Sequence, residues 1–293
     1  MKIVKKANAK INLGLDVLRR REDGYHEVKM IMQMVDLSDI LTFESRDDEE
    51  IHIMTNSGKL PCDENNLIYK AAMVLFAETG KRTCVDIYLE KRIPIAAGMA
   101  GGRTDAAATF LALNEMLGSP LSKEKLQEIS VKVGADVPYC IMGGTALSEG
   151  IGEVLTPLPS PPQVHLLIAK PDADVSTAFV YKNLRLDTLE KHPDIDGMKK
   201  AIEDGDLQGI ASRMENVLET VTIPAYPLIG QIKDVCKQEG AMNALMSGSG
   251  PTVFAMYTDK EKAENAAKRI REEMKIQEVF VTGFQRMEGS YDA

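Results

Sequence analysis

The sequence contains no tryptophan, and aromatic residues make up only 5% of its 293 positions. Its four cysteines, Cys62, Cys84, Cys140 and Cys236, are widely spaced and include no pair with metal-ligand spacing. Reduced and mostly buried thiols are therefore expected, rather than a zinc site or a disulfide framework. No run approaches the roughly 18 uncharged apolar residues of a membrane span, and the N-terminus lacks the apolar core of a secretory signal. A cytoplasmic protein is predicted.

The charge balance and one missing motif limit the possible partners. A net charge of −9 argues against nucleic acid, so an anionic small molecule would need local positive features of its own. The chain has no Walker A loop, because the Gly-Lys pairs at 58–59 and 80–81 lack both the earlier glycine and the following serine or threonine. Any phosphate site must therefore be built in another way.

Strands and helices alternate throughout the chain. Apolar alternation predicts strands at residues 10–18 and 83–89. Ser122 can cap one helix, the capping box of residues 258–261 opens another with alanines at helical spacing behind it, and the Ala-rich residues 103–117 predict a third. These patterns indicate a mixed α and β protein.

One stretch has the composition of a linker. Residues 155–163, LTPLPSPPQ, contain four prolines and precede an apolar run that is typical of a buried strand. We therefore predict two domains, at residues 1–157 and 158–293.

A glycine-bearing loop at residues 94–104, PIAAGMAGGRT, runs from a strand into the Ala-rich helix. Gly98, Gly101 and Gly102 allow backbone conformations that other residues avoid and a close approach to a ligand. The helix would direct its unpaired N–H groups and positive dipole end at the loop, as in a phosphate site. The alternative is a plain strand–turn–helix corner.

Two further segments are ambiguous when each is taken alone. The two serines and two glycines of residues 247–250 lie between apolar runs, where they can cradle phosphate oxygens or form a hairpin turn. Asp136 follows one helix and precedes an apolar stretch. It is either a catalytic carboxylate or an aspartate that caps or turns the chain.

Together, these segments carry a family resemblance. The loop 94–104, the Ser247-Gly-Ser-Gly250 segment and the early Lys10-Ile-Asn12 resemble the three motifs of the GHMP kinases. Two more stretches, Arg21-Glu-Asp-Gly-Tyr-His26 and Gly134-Ala-Asp-Val-Pro138, resemble members that phosphorylate a cytidine diphosphate ester of a sugar alcohol. Those members act in the non-mevalonate route to isoprenoid precursors.

The resemblance implies an α+β fold in two domains. A ribosomal-protein-S5-like N-terminal domain would precede an α/β-sandwich C-terminal domain, with the active site in the cleft between them. It also implies ATP and Mg²⁺ as cofactors, although no residue of the sequence is assigned to the metal. The partner would be a small-molecule alcohol, with no role for nucleic acid or a membrane.

The resemblance also implies residue roles. Asp136 would be the general base for the substrate hydroxyl, and Lys10 would keep the Asp136 carboxylate ionised and stabilise charge during transfer. Asn12 would contact the substrate near the same site. Tyr25, His26 and Tyr181 would enclose the cytosine base. The implied ATP contacts are Pro94, Ile95, Ala96, Ala97, Gly98, Met99, Ala100, Gly101, Gly102, Arg103, Thr104, Ser247, Gly248, Ser249 and Gly250.

The sequence departs from the family at position 103. The family loop usually continues Gly-Gly-Ser-Ser or Gly-Gly-Ser-Thr, whereas this chain has an arginine before Thr104. Arg103 can supply a phosphate contact, since guanidinium binds phosphate well, or it can crowd the loop. Two alternatives therefore remain beside the main hypothesis: a GHMP kinase for another alcohol, and a weakly active nucleotide-binding relative.

Overall fold

The computed structural model describes residues 1–46, 50–189 and 191–285. Within these ranges no helix is both long enough and apolar enough to cross a membrane. The chain forms two compact units, and each unit is discontinuous in sequence. Unit 1 comprises residues 1–9, 37–95 and 100–143, and unit 2 comprises residues 10–36, 96–99 and 144 onward. The predicted domains, 1–157 and 158–293, are continuous segments, and that boundary stays a prediction.

Unit 1 contains three strands that pair side by side. The second half of β2 (His26–Ser45) is antiparallel to β4 (Val85–Glu90), and β4 is parallel to β3 (Ile51–Thr55). The first strand of the chain, β1 (Lys2–Arg20), contributes its N-terminal end to this unit. The predicted strand at 83–89 corresponds to β4, and the predicted strand at 10–18 lies within β1.

The part of unit 1 that the structure describes also contains four helices. They are α1 (Leu67–Thr79), α2 (Gly101–Met116), α3 (Lys123–Ser130) and α4 (Val137–Met142). Their apolar faces pack with the strands into one core, in which Phe43 and Phe110 are fully buried. Ser122 caps α3 as predicted, because its side chain accepts a hydrogen bond from the Lys125 N–H.

Unit 2 contains a small strand group and a four-stranded antiparallel sheet. The first half of β2 pairs with β5 (Thr145–Glu149), which in turn pairs with β6 (Val154–Leu158). The sheet has the order β10-β7-β9-β8. Its strands are β7 (His165–Lys170), β8 (Asn243–Met246), β9 (Val253–Tyr257) and β10 (Glu278–Gly283).

Among the described residues of unit 2, six α-helices follow β7 in the chain. They are α5 (Thr177–Asn183), α6 (Ile195–Glu203), α7 (Leu207–Ser212), α8 (Glu219–Ala225), α9 (Leu228–Gln238) and α10 (Lys260–Glu273). A short 3₁₀ turn, Leu186–Thr188, lies between α5 and α6. Helices α9 and α10 pack on the four-stranded sheet. The content and layering agree with the predicted α+β class.

Two local predictions need correction. The predicted linker at 155–163 is partly regular, because residues 155–158 belong to β6, an edge strand in which the missing N–H of Pro157 breaks no sheet ladder. The helix predicted from the capping box begins one residue later than expected. Its N-cap is Asp259, whose carboxylate accepts a hydrogen bond from the Glu261 N–H. All four cysteines are free thiols, as expected, but only Cys236 is buried, so the expectation of mostly buried thiols is wrong.

Candidate active site

The start of α2 presents unpaired N–H groups. The main chain reaches it through two non-glycine residues in the left-handed region, Ala96 (φ 53°) and Ala100 (φ 58°). Ala100 occupies the N-cap position without a side-chain cap bond. The N–H groups of Gly101 and Gly102 have no hydrogen-bond acceptor among the described residues. This helix end can therefore accept an anion, as the phosphate interpretation requires.

Gly98 is a glycine because a second loop fills the space of its side chain. A Cβ on Gly98 would collide with the Ser247 carbonyl oxygen and lie 3.1 Å from that of Gly250. The Ser247 hydroxyl also donates a 3.0 Å hydrogen bond to the Gly98 carbonyl. Within unit 2 the fold thus brings together the two segments that the sequence suggested as phosphate cradles.

The segment 247–252 connects two paired strands. Its neighbours Met246 and Val253 are partners in the antiparallel β8–β9 pair. The hairpin interpretation is therefore correct, and it does not exclude a phosphate site. The N–H groups of Gly248 and Ser249 have no acceptor among the described residues, so this hairpin still offers two donors.

Lys10 and Asn12 lie beside these loops in unit 2. Both side chains are buried, and the Lys10 ammonium donates a 2.7 Å hydrogen bond to the Asn12 side-chain oxygen. The Lys10 N–H donates to the Met99 carbonyl at 3.1 Å. A Cβ on Gly248 would lie 3.6 Å from the Asn12 oxygen. Segments of all three motifs of the resemblance therefore meet in one unit.

Asp136 stands at the N-terminal end of α4 in unit 1. It occupies the N-cap position, but its carboxylate makes no capping hydrogen bond. The interpretation of Asp136 as a capping residue is therefore wrong. Burial raises the pKa of the nearby Tyr139 hydroxyl well above its ordinary value, with smaller contributions from Cys140 and Asp136. A carboxylate without a structural task at a helix end is available for chemistry, and its role as general base stays a prediction.

His26 and Tyr181 form a ring pair in unit 2. Their ring centroids are 5.0 Å apart and their planes are tilted by 43°. Burial lowers the pKa of the His26 imidazole, and the charge of Arg20 lowers it further, so the ring is neutral near pH 7. A neutral imidazole has one donor and one acceptor, which suits the polar edge of a base. The Tyr25 side chain is next in sequence and 61% exposed.

The two residues that end the glycine loop differ in exposure. Thr104 is buried, and its hydroxyl donates a 2.7 Å hydrogen bond to the Asn8 carbonyl. Arg103 is exposed, and its guanidinium has no hydrogen-bond or ion-pair partner among the described residues. Its stem lies over Gly134, where an added Cβ would be 3.6 Å from the Arg103 Cγ. Position 103 thus faces solvent with a free cation where the family has a hydroxyl.

Replacing Arg103 tests whether its guanidinium contacts a phosphate of ATP. A cation in the first turn of a helix opposes the helix dipole at a cost of about 0.3–1 kcal/mol, which an anionic ligand would reverse. We expect Arg103→Ser to raise the dissociation constant for ATP about tenfold at low salt and less at high salt, because the contact is ionic. Titration calorimetry at two ionic strengths measures this change.

A matched control separates that contact from a general change in charge. Arg92 is also an exposed arginine near the loop, but its guanidinium is paired with Glu90. Arg92→Ser should leave the affinity for ATP unchanged. If Arg103→Ser binds ATP more tightly than the parent, Arg103 obstructs the loop instead of contacting phosphate.

Two groups of polar residues escaped the sequence analysis. In unit 1, Lys91 bridges the buried carboxylates of Asp39 and Asp105 at 2.6 and 2.7 Å. In unit 2, the Asn216 side chain donates to the Met246 and Gly248 carbonyls. None of these residues stands out in the sequence, because each has a polar or charged neighbour: Lys91 lies between Glu90 and Arg92, and Asn216 follows Glu215.

The described residues contain no group of three or more histidine, cysteine, aspartate or glutamate side chains arranged to hold a metal ion. The donors described above fit a polyphosphate chemically. Unpaired N–H groups and a free guanidinium are the groups that bind phosphate oxygens.

Two family models match the chain. The model for the GHMP kinases N terminal domain matches residues 66–144, and the model for the GHMP kinases C terminal region matches residues 198–276. Together they span more than half of the chain. The chain belongs to the GHMP kinase family.

Relatives with high identity support this membership. A GHMP kinase of Lachnoclostridium phytofermentans, named 4-diphosphocytidyl-2-C-methyl-D-erythritol kinase, is 55% identical over 89% of this chain and 90% of its own length. A relative of the same name from Lachnospira eligens is 49% identical over 94% of this chain and 96% of its own length.

Solved structures of GHMP kinases have the same fold. A crystal structure of 4-(cytidine 5'-diphospho)-2C-methyl-D-erythritol kinase aligns with a TM-score of 0.83 and 30% identity, covering 97% of this chain and 100% of that one. The homoserine kinase of Cytophaga hutchinsonii aligns with a TM-score of 0.77 at 21% identity, over 96% of this chain and 94% of its own, and shows the fold alone. The two-domain GHMP kinase fold predicted from the motifs is confirmed, and the chain is a small-molecule kinase.

Proposed function

We propose that this GHMP kinase transfers the terminal phosphoryl group of ATP to the 2-hydroxyl of 4-diphosphocytidyl-2-C-methyl-D-erythritol, in the non-mevalonate route to isoprenoid precursors. The observation that carries the proposal is the His26–Tyr181 ring pair, in the same unit as Lys10 and Asn12. A tilted ring pair with a neutral imidazole suits a pyrimidine base, which a small unmodified alcohol lacks. Relatives at 55% and 49% identity bear the name of this activity.

The proposed chemistry assigns a task to each residue. The Asp136 carboxylate accepts the hydroxyl proton as the alcohol oxygen forms its bond to the terminal phosphorus. The bond from that phosphorus to the bridging oxygen breaks, and ADP leaves. The Lys10 ammonium stabilises the charge that spreads over the transferring group, and Asn12 orients both Lys10 and the alcohol.

The nucleotide would be held by main-chain groups. The free N–H groups of Gly101, Gly102, Gly248 and Ser249 are the donors that we assign to the phosphates, with Arg103 as an added cation. A magnesium ion would neutralise phosphate charge, and it would be held largely by phosphate oxygens and water, as is usual for this ion.

One assay tests the proposal against its alternatives. The chain is incubated with ATP and, in separate reactions, with the cytidine diphosphate ester, homoserine, mevalonate or galactose, and ADP release is measured. We expect ADP release only with the cytidine compound. Release with another alcohol would favour a different GHMP kinase, and no release with any of them would favour a weakly active relative, for which Arg103 is the supporting observation.

Removing either ring of the base pocket should affect one substrate only. We expect His26→Ala and Tyr181→Ala to raise the KM for the cytidine substrate about 5- to 150-fold, since stacking on an aromatic platform contributes about 1–3 kcal/mol per base. The KM for ATP should stay unchanged. Steady-state kinetics with each substrate varied in turn measure the split.

The control for this pair is His52→Ala, which removes a partly exposed histidine of unit 1 that pairs with Glu50. This substitution should change neither the KM for the cytidine substrate nor the KM for ATP. An equal rise in both KM values for His26→Ala and Tyr181→Ala would argue against a cytosine pocket at these rings.

A further inference from the structure

Three side chains hold the main chain of the Ser247–Gly250 hairpin from one side. The Asn216 amide donates to the Met246 and Gly248 carbonyls at 2.9 and 2.8 Å. A Glu219 carboxylate oxygen accepts from the Met246 N–H at 2.8 Å, and the Thr222 hydroxyl donates to the Ser249 carbonyl at 3.3 Å. These three residues are spaced three apart, so one short stretch of chain satisfies four main-chain polar groups of residues 246–249.

Asn216 itself is fixed in place. Its side chain is only 5% exposed, and its oxygen accepts a hydrogen bond from the Leu218 N–H. The residues on either side of it bond to β1, because the Leu15 N–H donates to the Glu215 carbonyl and the Val217 N–H donates to the Leu15 carbonyl. The Asn216 amide therefore has one orientation, set by the strand that also carries Lys10 and Asn12.

The bond to the Gly248 carbonyl has a geometric consequence. In a trans peptide the C=O and the following N–H point in opposite directions. Because Asn216 holds the Gly248 carbonyl, the Ser249 N–H is turned away from Asn216. The N–H groups of Gly248 and Ser249 have no acceptor among the described residues, and the left-handed Gly248 (φ 58°) is the conformation in which neighbouring N–H groups converge on an anion.

We propose that Asn216 is a positioning residue that directs the Gly248 and Ser249 N–H groups at a phosphate of ATP. It does not touch the nucleotide. It acts through the Met246 and Gly248 carbonyls, which its amide holds in place. This inference rests on the proposed function in that ATP is the anion. Without Asn216 the Gly248 carbonyl is free to turn, and the N–H groups lose their common direction.

The first test compares ATP binding by the parent and by two variants of the whole chain. We expect Asn216→Ala to raise the dissociation constant for ATP about tenfold, the weight of one or two neutral hydrogen bonds. Asn216→Asp keeps the size of the side chain but removes both donors, and it should weaken binding at least as much. Calorimetric titration with ATP, without the alcohol substrate, measures both.

Asn243 provides the matched control. Its side-chain amide donates to the Ala211 carbonyl at 2.8 Å, and its oxygen accepts from the Ala244 N–H, so its bonding resembles that of Asn216. Asn243→Ala should lower the melting temperature by a similar amount and leave the affinity for ATP unchanged. If Asn216→Ala loses stability like Asn243→Ala but binds ATP like the parent, Asn216 is a structural residue only and the inference is wrong.

Hydrogen exchange gives a readout that a purely structural role would not change. In the parent, ATP should protect the amides of residues 248–249 from exchange, and in Asn216→Ala this protection should be largely lost. Turnover separates the inference from the proposed function. If ATP binding depends on Asn216 but the parent phosphorylates no cytidine ester, only the proposed substrate is refuted. If the parent is active and Asn216→Ala binds ATP as the parent does, only the inference is refuted.

Discussion

Asp136→Asn is expected to lower kcat by a factor on the order of 10²–10⁴, the usual contribution of a general base. Asparagine keeps the shape of the side chain but cannot accept the hydroxyl proton. The fold should be unaffected, because the Asp136 carboxylate makes no capping bond to α4 that the change could remove. Steady-state rates at saturating ATP and alcohol, together with the melting temperature, measure both expectations.

Asp206→Asn is the matched control for this prediction. Asp206 also precedes a short helix, but there the carboxylate caps α7 by accepting a 2.9 Å hydrogen bond from the Gly209 N–H. Asparagine caps helices about as well as aspartate, so both activity and stability should be retained. If the kcat of Asp136→Asn equals that of Asp206→Asn, then Asp136 has no part in the mechanism.

The second large effect concerns stability. Lys91→Met is expected to lower the free energy of unfolding by about 3–5 kcal/mol, because it leaves two buried carboxyl groups without their cation. The side chains of Lys91, Asp39 and Asp105 are 7%, 0% and 3% exposed. Burial opposes the charge of Lys91, but Asp105 and Asp39 together raise its pKa. Urea unfolding at neutral pH measures the loss.

Lys125→Met is the control. Lys125 also bridges two carboxylates, Glu78 at 3.2 Å and Glu128 at 2.7 Å, but its side chain is 37% exposed. Solvent screens these charges, so this variant should lose far less stability than Lys91→Met. Equal losses for the two variants would show that burial does not govern the Lys91 cluster.

The pH dependence of the Lys91→Met variant follows from the same cluster. Burial raises the pKa of the Asp105 carboxyl well above its ordinary value, although Lys91 partly opposes the rise. The folded state then holds the proton more tightly than the unfolded state, so this group favours folding at low pH and loses that contribution as pH rises through the raised pKa. The stability gap between parent and Lys91→Met should narrow as pH falls toward the ordinary carboxyl pKa of about 4.

Features fixed by neighbouring residues were predictable from the sequence. The cap at Ser122 needed only a hydroxyl and an N–H group three residues away. The Ala-rich composition predicted the existence of α2, but not its bounds, since the helix predicted at 103–117 begins two residues earlier, at Gly101. The helix start near residue 259 was misplaced because two capping residues stand side by side. Asp259 prevailed over Thr258, since a carboxylate is the stronger cap acceptor.

Features that depend on distant partners were not predictable. Lys91 lies 52 positions from Asp39 and 14 from Asp105, and a single sequence contains no signal that pairs them. The task of Asn216 depends equally on a hairpin 32 positions later. The motif residues of the site were found because the family resemblance connects these motifs with one another. Their individual roles stay predictions.

The missing side chain of Gly98 makes two distant segments mutually dependent. The Ser247 carbonyl occupies the place of the Cβ, although the two residues are 149 positions apart. If laboratory evolution randomises the glycine loop alone, most variants with a side chain at position 98 will therefore be lost, even when their other substitutions are favourable. A library designed for a new phosphate donor has to vary residue 98 and residues 247–250 together. A glycine loop grafted from another kinase has to be transferred together with the hairpin of that kinase.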